Sequence, residues 1–481
     1  MKSLLTMFVV LTFLCDGIAE ESLPHSLRKA YPIDSARKLI TDLTDELKKN
    51  HPGTFRYINK EDFNHFTDSM KQSINNSITL MELYRRLKMV TGKVKCLHTD
   101  LKLSPILSEE LNNSPNLLPL QVYVVGSRAY IARNLSGDAR IMEGDEIVSI
   151  NGRPISQIID QLMAVIPSDG FNTSLKYRAL LLQFPLWYRN MVEVTTRFDI
   201  ALRRHQQSVK VELKGRKFAD LAGNGFLKEP VHEKVLEFRI ENGIGFLTIH
   251  SFAKTDVKRA DQHFRKFINH AFTELNEQHI KHLIVDLRDN TGGSDPNAVY
   301  FTSHFFDQPF HYGNRTLVTE AIAKQIKGIY RIFYKKPVKK DSLWYWQDGK
   351  VKDLNTFALV KNAKNNYRGN SYFLINGFCM SSCANVTAIL SHNKKSTFIG
   401  QETGGGYQGN NSGMLPEEPI SNTGLMLTVP LQAYFLAVDP NTNVGRGTPP
   451  NYKIELTLEE IIHQRDMEKN KALELIRNQQ P

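Results

Sequence analysis

Cysteine is scarce in this chain, with four residues among 481. Cys15 falls near the start, and the other three, Cys96, Cys379 and Cys383, make an odd number. A disulfide framework is therefore excluded, although one bridge between two of the three stays open. No Cys-x-x-Cys and no His-x-x-x-His pair occurs, which argues against a structural zinc site. Beyond the first twenty residues no apolar run approaches the length of a membrane span. The chain also lacks internal repeats and low-complexity tracts, which sets aside solenoids and disordered linkers.

What remains is ordinary globular composition, 41% apolar and 23% charged, on a chain long enough to bury a core without staples. The net charge of +11 permits weak contact with an anionic surface, such as a membrane, nucleic acid or an envelope polymer. It does not choose among them, and the plainer reading is a basic extracytoplasmic enzyme.

The N-terminus gives a compartment. Met1-Lys2 is followed by an apolar run from Leu4 to Cys15, too short to span a bilayer but suited to a signal peptide. Gly17-Ile18-Ala19 offers a small-x-small cleavage site, so residues 1–19 are expected to be removed and the protein exported to a periplasm or beyond the cell. A lipoprotein anchored at Cys15 is the alternative. Leu14 disfavours it, because a small side chain is needed at that position.

Three blocks follow. Residues 20–106 read as helical, with helices expected from Ile33 to Lys48 (Asp34 as N-cap), Glu61 to Ile74 and Leu80 to Met89. Strand-like alternation then runs from Lys93 to Leu103 and contains His98. Residues 118–216 open with strands near Gln121–Val125 and Ala129–Ala132. They continue through Gly144-Asp145-Glu146-Ile147-Val148-Ser149-Ile150-Asn151-Gly152, a strand and a tight Asn-Gly turn. That stretch resembles the Gly-Asp-x-Ile-x-x-Ile-Asn-Gly run of PDZ domains, which bind extended peptides along a sheet edge. The segment Leu175–Tyr188 fits such a domain poorly and reads as a connecting helix. Residues 235–468 alternate strands (Ile244–His250, His282–Leu287, Ser371–Ile375, Thr397–Ile399) with helical stretches, which indicates an α/β domain. The basic stretch Lys324–Lys340, with Tyr and Phe interleaved, reads as a solvated helix face beside a loop.

Two turns in the third block carry the chemistry. In Asp286-Leu287-Arg288-Asp289-Asn290-Thr291-Gly292-Gly293 a buried strand runs into a double-glycine turn before a helix. Glycine lets the backbone bend sharply and bares N–H groups that can hold an oxyanion. In Asn376-Gly377-Phe378-Cys379-Met380-Ser381-Ser382-Cys383 a strand ends and Ser381 stands where a helix begins. Serine there is usually a cap. It can also be a nucleophile, with the Ser382 N–H as oxyanion donor.

Together the turns resemble the tail-specific (C-terminal-processing) serine protease family, including its tricorn core protease branch. The match runs through Asp-x-Arg-x-Asn-x-Gly-Gly, Asn-Gly-x-x-x-Ser and the Gly-x-x-Thr-Gly-Gly-Gly of Gly400 to Gly406, in that order. The resemblance implies an α/β fold with a crotonase-like core, a PDZ-like β-rich domain and an N-terminal helical block. It implies hydrolysis of unfolded or extended polypeptides through a serine acyl-enzyme, with no metal or organic cofactor and no nucleic acid partner. Ser381 would be the nucleophile, and the backbone of Ser382 with Gly292 or Gly293 the oxyanion hole. One branch of the family uses a lysine about 25 residues past the serine, but Gly406 occupies that place. The tricorn-like branch uses an upstream histidine, which points to His98 in Cys96-Leu97-His98-Thr99-Asp100. The position of that branch's acid falls on Val444, so Asp439 and Asp100 are the substitutes, or a backbone carbonyl or hydroxyl holds the base instead. A catalytically inactive member that binds an apolar ligand or a peptide is the alternative.

Overall fold

The computed structural model describes residues 25–227, 232–325, 335–347 and 357–479. The expected signal peptide, Cys15 and much of the basic stretch 324–340 lie outside the described residues.

Helical spacing in the first block produces α1 (Ile33–Asn50), α2 (Lys60–Gln72) and α3 (Leu80–Lys93). The Asn59 side chain caps α2, and Thr79 with Glu82 closes a reciprocal capping box on α3. Asp34 sits in the first turn of α1, and Pro32 holds the N-cap position without a side-chain bond. Strand structure after α3 is confined to β1 (Asp100–Leu103); residues 94–99, including His98, form a turn. β1 pairs antiparallel with the distant strand Leu425–Thr428. This pairing fixes the turn before it against the C-terminal third of the chain.

The second block forms β2 (Leu120–Val125), β3 (Arg128–Asn134) and β4 (Glu146–Ile150), then α4 (Ile155–Val165) and α5 (Ser174–Met191). β5 (Arg197–Arg204) and β6 (Gln207–Lys214), an antiparallel hairpin, complete a sheet in the order β2-β3-β4-β5-β6. The tight turn after β4 is as expected, with Asn151 at φ 49° and Gly152 at 73°. α5 packs on β2 and bends near Gln183, two residues before Pro185. A single apolar core runs from Leu27 to Leu213, with α3 lying on α4, so the helical block and the sheet share one interior.

The third block is built on a six-stranded sheet: β7 (Leu236–Glu241), β8 (Ile244–Ile249), β9 (His282–Asp286), β10 (Asn370–Ile375), β11 (Thr397–Gly400) and β12 (Tyr452–Lys453). Strand order follows chain order, and every pair after β7–β8 is parallel. One face carries α6 (Phe264–Glu277), α7 (Asp295–Thr302) and α8 (Ser382–His392) over a core rich in phenylalanine, including Phe272, Phe301 and Phe373. Ile284, Tyr372 and Leu374 alternate to the other face, where they meet Ala472 and Ile476 of α9 (Met467–Arg477). A short helix, Lys254–Arg259, precedes α6, and Asp261 at φ 51° separates the two. A further five-stranded sheet, which includes Gly313–Val318 and Gln432–Leu436, was not legible in the hydrophobic pattern. Among the described residues no helix is long and apolar enough to cross a membrane.

Arg288, just past β9, ties α9 to the sheet. Its guanidinium holds Asp286 at 2.6 Å, Asp466 at 2.7 Å and the nearly buried Glu468 at 3.2 Å. Removing the cation would leave the nearly buried Glu468 carboxylate uncompensated beside two partly exposed acids. Arg288→Ala is expected to lower the unfolding free energy by about 3–5 kcal/mol, measured by urea denaturation.

Candidate active site

β9 and β10 are parallel neighbours, so their C-terminal ends emerge side by side at the position where open α/β sheets bind ligands. Both glycine turns leave from there. In the first, Asn290 is fully buried; its side-chain N–H₂ donates to the Ile249 carbonyl at 2.7 Å, and its Oδ1 accepts from Gly292 N at 2.8 Å. The Asn290 carbonyl accepts from Met380 N at 3.2 Å, which joins this turn to the second. Asp289 makes the same connection. Its N–H donates to Asn376 Oδ1, and its carboxylate accepts from Asn376 Nδ2, each at 3.0 Å. Arg178 of α5 clamps that carboxylate through two bonds, at 3.0 and 2.7 Å.

Gly292, at φ 100°, meets Ser381 directly. A Cβ there would stand 2.7 Å from Ser381 Cβ and 2.9 Å from Ser382 N. Only glycine permits this approach. Ser381 occupies the N-cap position of α8 at φ 51° and ψ −128°, and its side chain makes no capping bond. A serine in this region costs about 1–3 kcal/mol, strain that concentrates at functional sites. The hydroxyl is therefore presented at the helix start rather than spent on the helix.

Of the expected oxyanion donors, Gly292 N–H is engaged by Asn290. The N–H groups of Gly293 and Ser382 donate to no acceptor among the described residues. Of the three expected donors, Ser382 and Gly293 are thus the two whose N–H groups remain free.

His98 lies in the turn between α3 and β1, with Nδ1 buried and unbonded. Burial pulls its imidazole below the usual histidine value, while the Asp169 carboxylate and a hydrogen bond to the Asn411 backbone pull it up. Asp169, 1% exposed, accepts from Leu97 N at 3.0 Å and from Gly406 N at 3.1 Å. The adjoining Gly405 abuts Ser381; a Cβ on it would stand 3.1 Å from Ser381 N. The glycine loop is therefore a common wall, with Ser381 on one side and the His98 turn tied to the other. No hydrogen bond joins His98 to Ser381 in this structure, and unliganded catalytic pairs are often open in this way. His51 supports the next residue. Its Nδ1 accepts from Gly53 N, so Nε2 carries the proton and donates to Thr99 Oγ1 at 2.7 Å. Burial pushes His51 down to about 3, so it stays neutral.

The two acids considered from sequence sit elsewhere. Asp100 is paired with Lys88. Asp439 lies on an exposed loop, bonded to Thr442 and Asn441 N. Asp169 is the carboxylate that acts on His98, and sequence reasoning missed it because Ser168-Asp169-Gly170 reads as an ordinary turn. Val444, the place of the family acid, is exposed, but the Gly445 carbonyl beside it accepts from Phe171 N, two residues past Asp169. Lys395 pairs with Asp307 beyond the end of α8. Cys96, Cys379 and Cys383 are free buried thiols, with Cys379 Sγ donating to the Leu287 carbonyl at 2.9 Å.

The base must be neutral to accept a proton. The acid limb of kcat/KM is therefore expected below the usual histidine value of about 6.5, with activity lost as pH falls through it. Asp169→Asn removes the charge that raises His98, so the limb should move to still lower pH, read from a pH–rate profile. Gly292→Ala places a methyl against Ser381 and is expected to abolish turnover.

Residues 243–454 match the family model described as "Peptidase family S41". No curated protein matches the chain in sequence. Among solved structures, mature CPAF aligns with a TM-score of 0.60 at 14% identity, covering 93% of this chain and 99% of that one. Mature CPAF complexed with lactacystin gives 0.61 at 13%, covering 92% and 97%. The photosystem II D1 C-terminal processing protease is more distant, at 0.40 and 13%, covering 89% and 97%. The described chain shares the fold of CPAF, and its segment 243–454, which holds both glycine turns, is similar to the peptidase family S41 domain.

Proposed function

We propose that the protein is an exported serine endopeptidase acting on unfolded or extended polypeptides. The observation that carries this reading is Ser381, held in a strained conformation, uncapped and pressed against Gly292, with the N–H groups of Ser382 and Gly293 free. Ser381 Oγ attacks the scissile carbonyl, and His98 takes its proton. The two N–H groups hold the tetrahedral oxyanion. His98 returns the proton to the leaving amine, and water releases the acyl-enzyme. Asp169 and the Asn411 backbone orient the imidazole in place of the family acid. The six-stranded sheet with α6 to α8 serves as a crotonase-like core. The sheet β2 to β6 serves as a PDZ-like domain that recognises peptide tails.

Treatment with a fluorophosphonate probe, followed by intact mass and peptide mapping, tests the reading. The expected adduct is on Ser381 and is lost in His98→Ala. Ser381→Ala should lower casein hydrolysis by at least about 10³-fold while the protein stays folded. An unlabelled wild-type protein that also leaves casein intact, and that binds a lipophilic dye saturably, would make this a binding module.

A further inference from the structure

We propose that the cleft between the loop after α1 and the five-stranded sheet is a second substrate-binding site, taken by an acidic polypeptide segment that carries apolar side chains and is not itself cut. This rests on the serine peptidase reading above and names a feature of its substrates.

Residues 51–56, which follow α1, line a cleft of about 410 Å³ together with Leu317, Ala433 and Phe435 of the sheet. Ligand sites commonly measure about 300–1,000 Å³. Leu317 pairs with Ala433 and Arg315 with Phe435, so side-chain alternation puts all four on one face of the sheet. Leu317 and Phe435 are half-buried and Phe55 is 40% exposed, so apolar surface stays in contact with water here.

The charge around the cleft is mainly of one sign. Lys48, Arg56 and Lys339 line it, and Arg315 stands beside Phe435. Arg56 and Arg315 are each 4.6 Å from the centre of the Phe435 ring, so two guanidinium groups share one aromatic side chain. Arg56 donates to the Tyr434 and Gln408 carbonyls at a long 3.4 Å. The one acid among the lining residues, Glu320, is held by Lys324 at 2.7 Å, and among the described residues no carboxylate pairs with any of the four cations. Like charges gathered without counter-ions repel one another, so the cleft favours an anion.

The cleft adjoins the turn that carries the base. His51, which lines it, donates to Thr99, the residue after His98. Ala433 is the strand partner of Asn411, whose backbone bonds to His98. A chain tethered in the cleft keeps its neighbouring residues at high effective concentration near the base. A bare anion would leave the apolar floor wet, and a purely apolar ligand would leave the cations unpaired. A polypeptide segment that joins glutamate or aspartate to aromatic or long aliphatic side chains satisfies both, and unfolded chains are what the proposed activity brings to this face.

The test uses a short labelled peptide rich in glutamate and phenylalanine, titrated with the full-length protein and read by fluorescence anisotropy. Binding is expected, weaker with added salt and about tenfold weaker in the double variant Lys48→Glu, Arg315→Glu. The same peptide with glutamine for glutamate should bind about tenfold less tightly to wild type, and this comparison decides alone if the variant does not fold. Fused to either end of a fluorogenic substrate, the acidic segment should lower KM about tenfold relative to its glutamine version and leave kcat unchanged. Equal binding of the two peptides overturns the proposal, as does equal KM for the two fusions at both ends; the peptidase reading survives either result. A cleft that prefers oligothymidylate to the acidic peptide, with that preference lost in the double variant, also overturns it. Wild type that binds the acidic peptide but cleaves no substrate overturns the peptidase reading and leaves the cleft a docking site for acidic segments.

Discussion

Everything at the site depends on two turns pressed together at the ends of neighbouring parallel strands. Parallel strands run roughly 5 Å apart, so the chains leaving β9 and β10 must share a space too small for ordinary side chains. Gly292 against Ser381 is the contact that makes this possible. Asn290 and Asn376 supply the hydrogen bonds that replace the ladder once the strands end. Asn290 Oδ1 takes the Gly292 N–H out of use, while the N–H groups of Gly293 and Ser382 stay free.

That seam is held from outside by residues of other blocks. Arg178 reaches from α5 to Asp289, and Ser174 at the start of the same helix donates to the Glu402 carbonyl at 2.7 Å. Gly377 and Gly404 both lie so close to the start of α5 that a Cβ on either would strike it. The helix that reads as a connector is thus a brace against both turns and the glycine loop. The His98 turn comes in through the pairing of β1 with Leu425–Thr428 and through Asp169, whose two oxygens bridge Leu97 and Gly406.

The parallel-sheet strands and most helices were legible because each carries a local pattern: an apolar run between glycine turns, or apolar positions at helical spacing. The Asn151-Gly152 hairpin was legible because its φ angles suit few other residue types. The five-stranded sheet escaped because its short strands are stabilised by partners far along the chain, and the β5–β6 hairpin because its turn residues, His205 and Gln206, take positive φ without being glycine or asparagine. At the site, Ser381 and the glycine turns stood out as motifs. Asp169, Arg178 and His51 did not, since an acid in a turn, a cation on a helix and a histidine before a proline have no distinguishing spacing.

By itself the sequence singled out Ser381 as the candidate nucleophile, the glycine positions that let the turns close, and a histidine suited to accept a proton. These follow from side-chain chemistry and backbone freedom, which are properties of single residues and short stretches. Only the tertiary structure decided which N–H groups stay free, and that Asp169 rather than Asp100 or Asp439 has the charge that reaches His98. Those outcomes depend on which hydrogen-bonding groups find one another when distant segments pack, and no local pattern records that pairing.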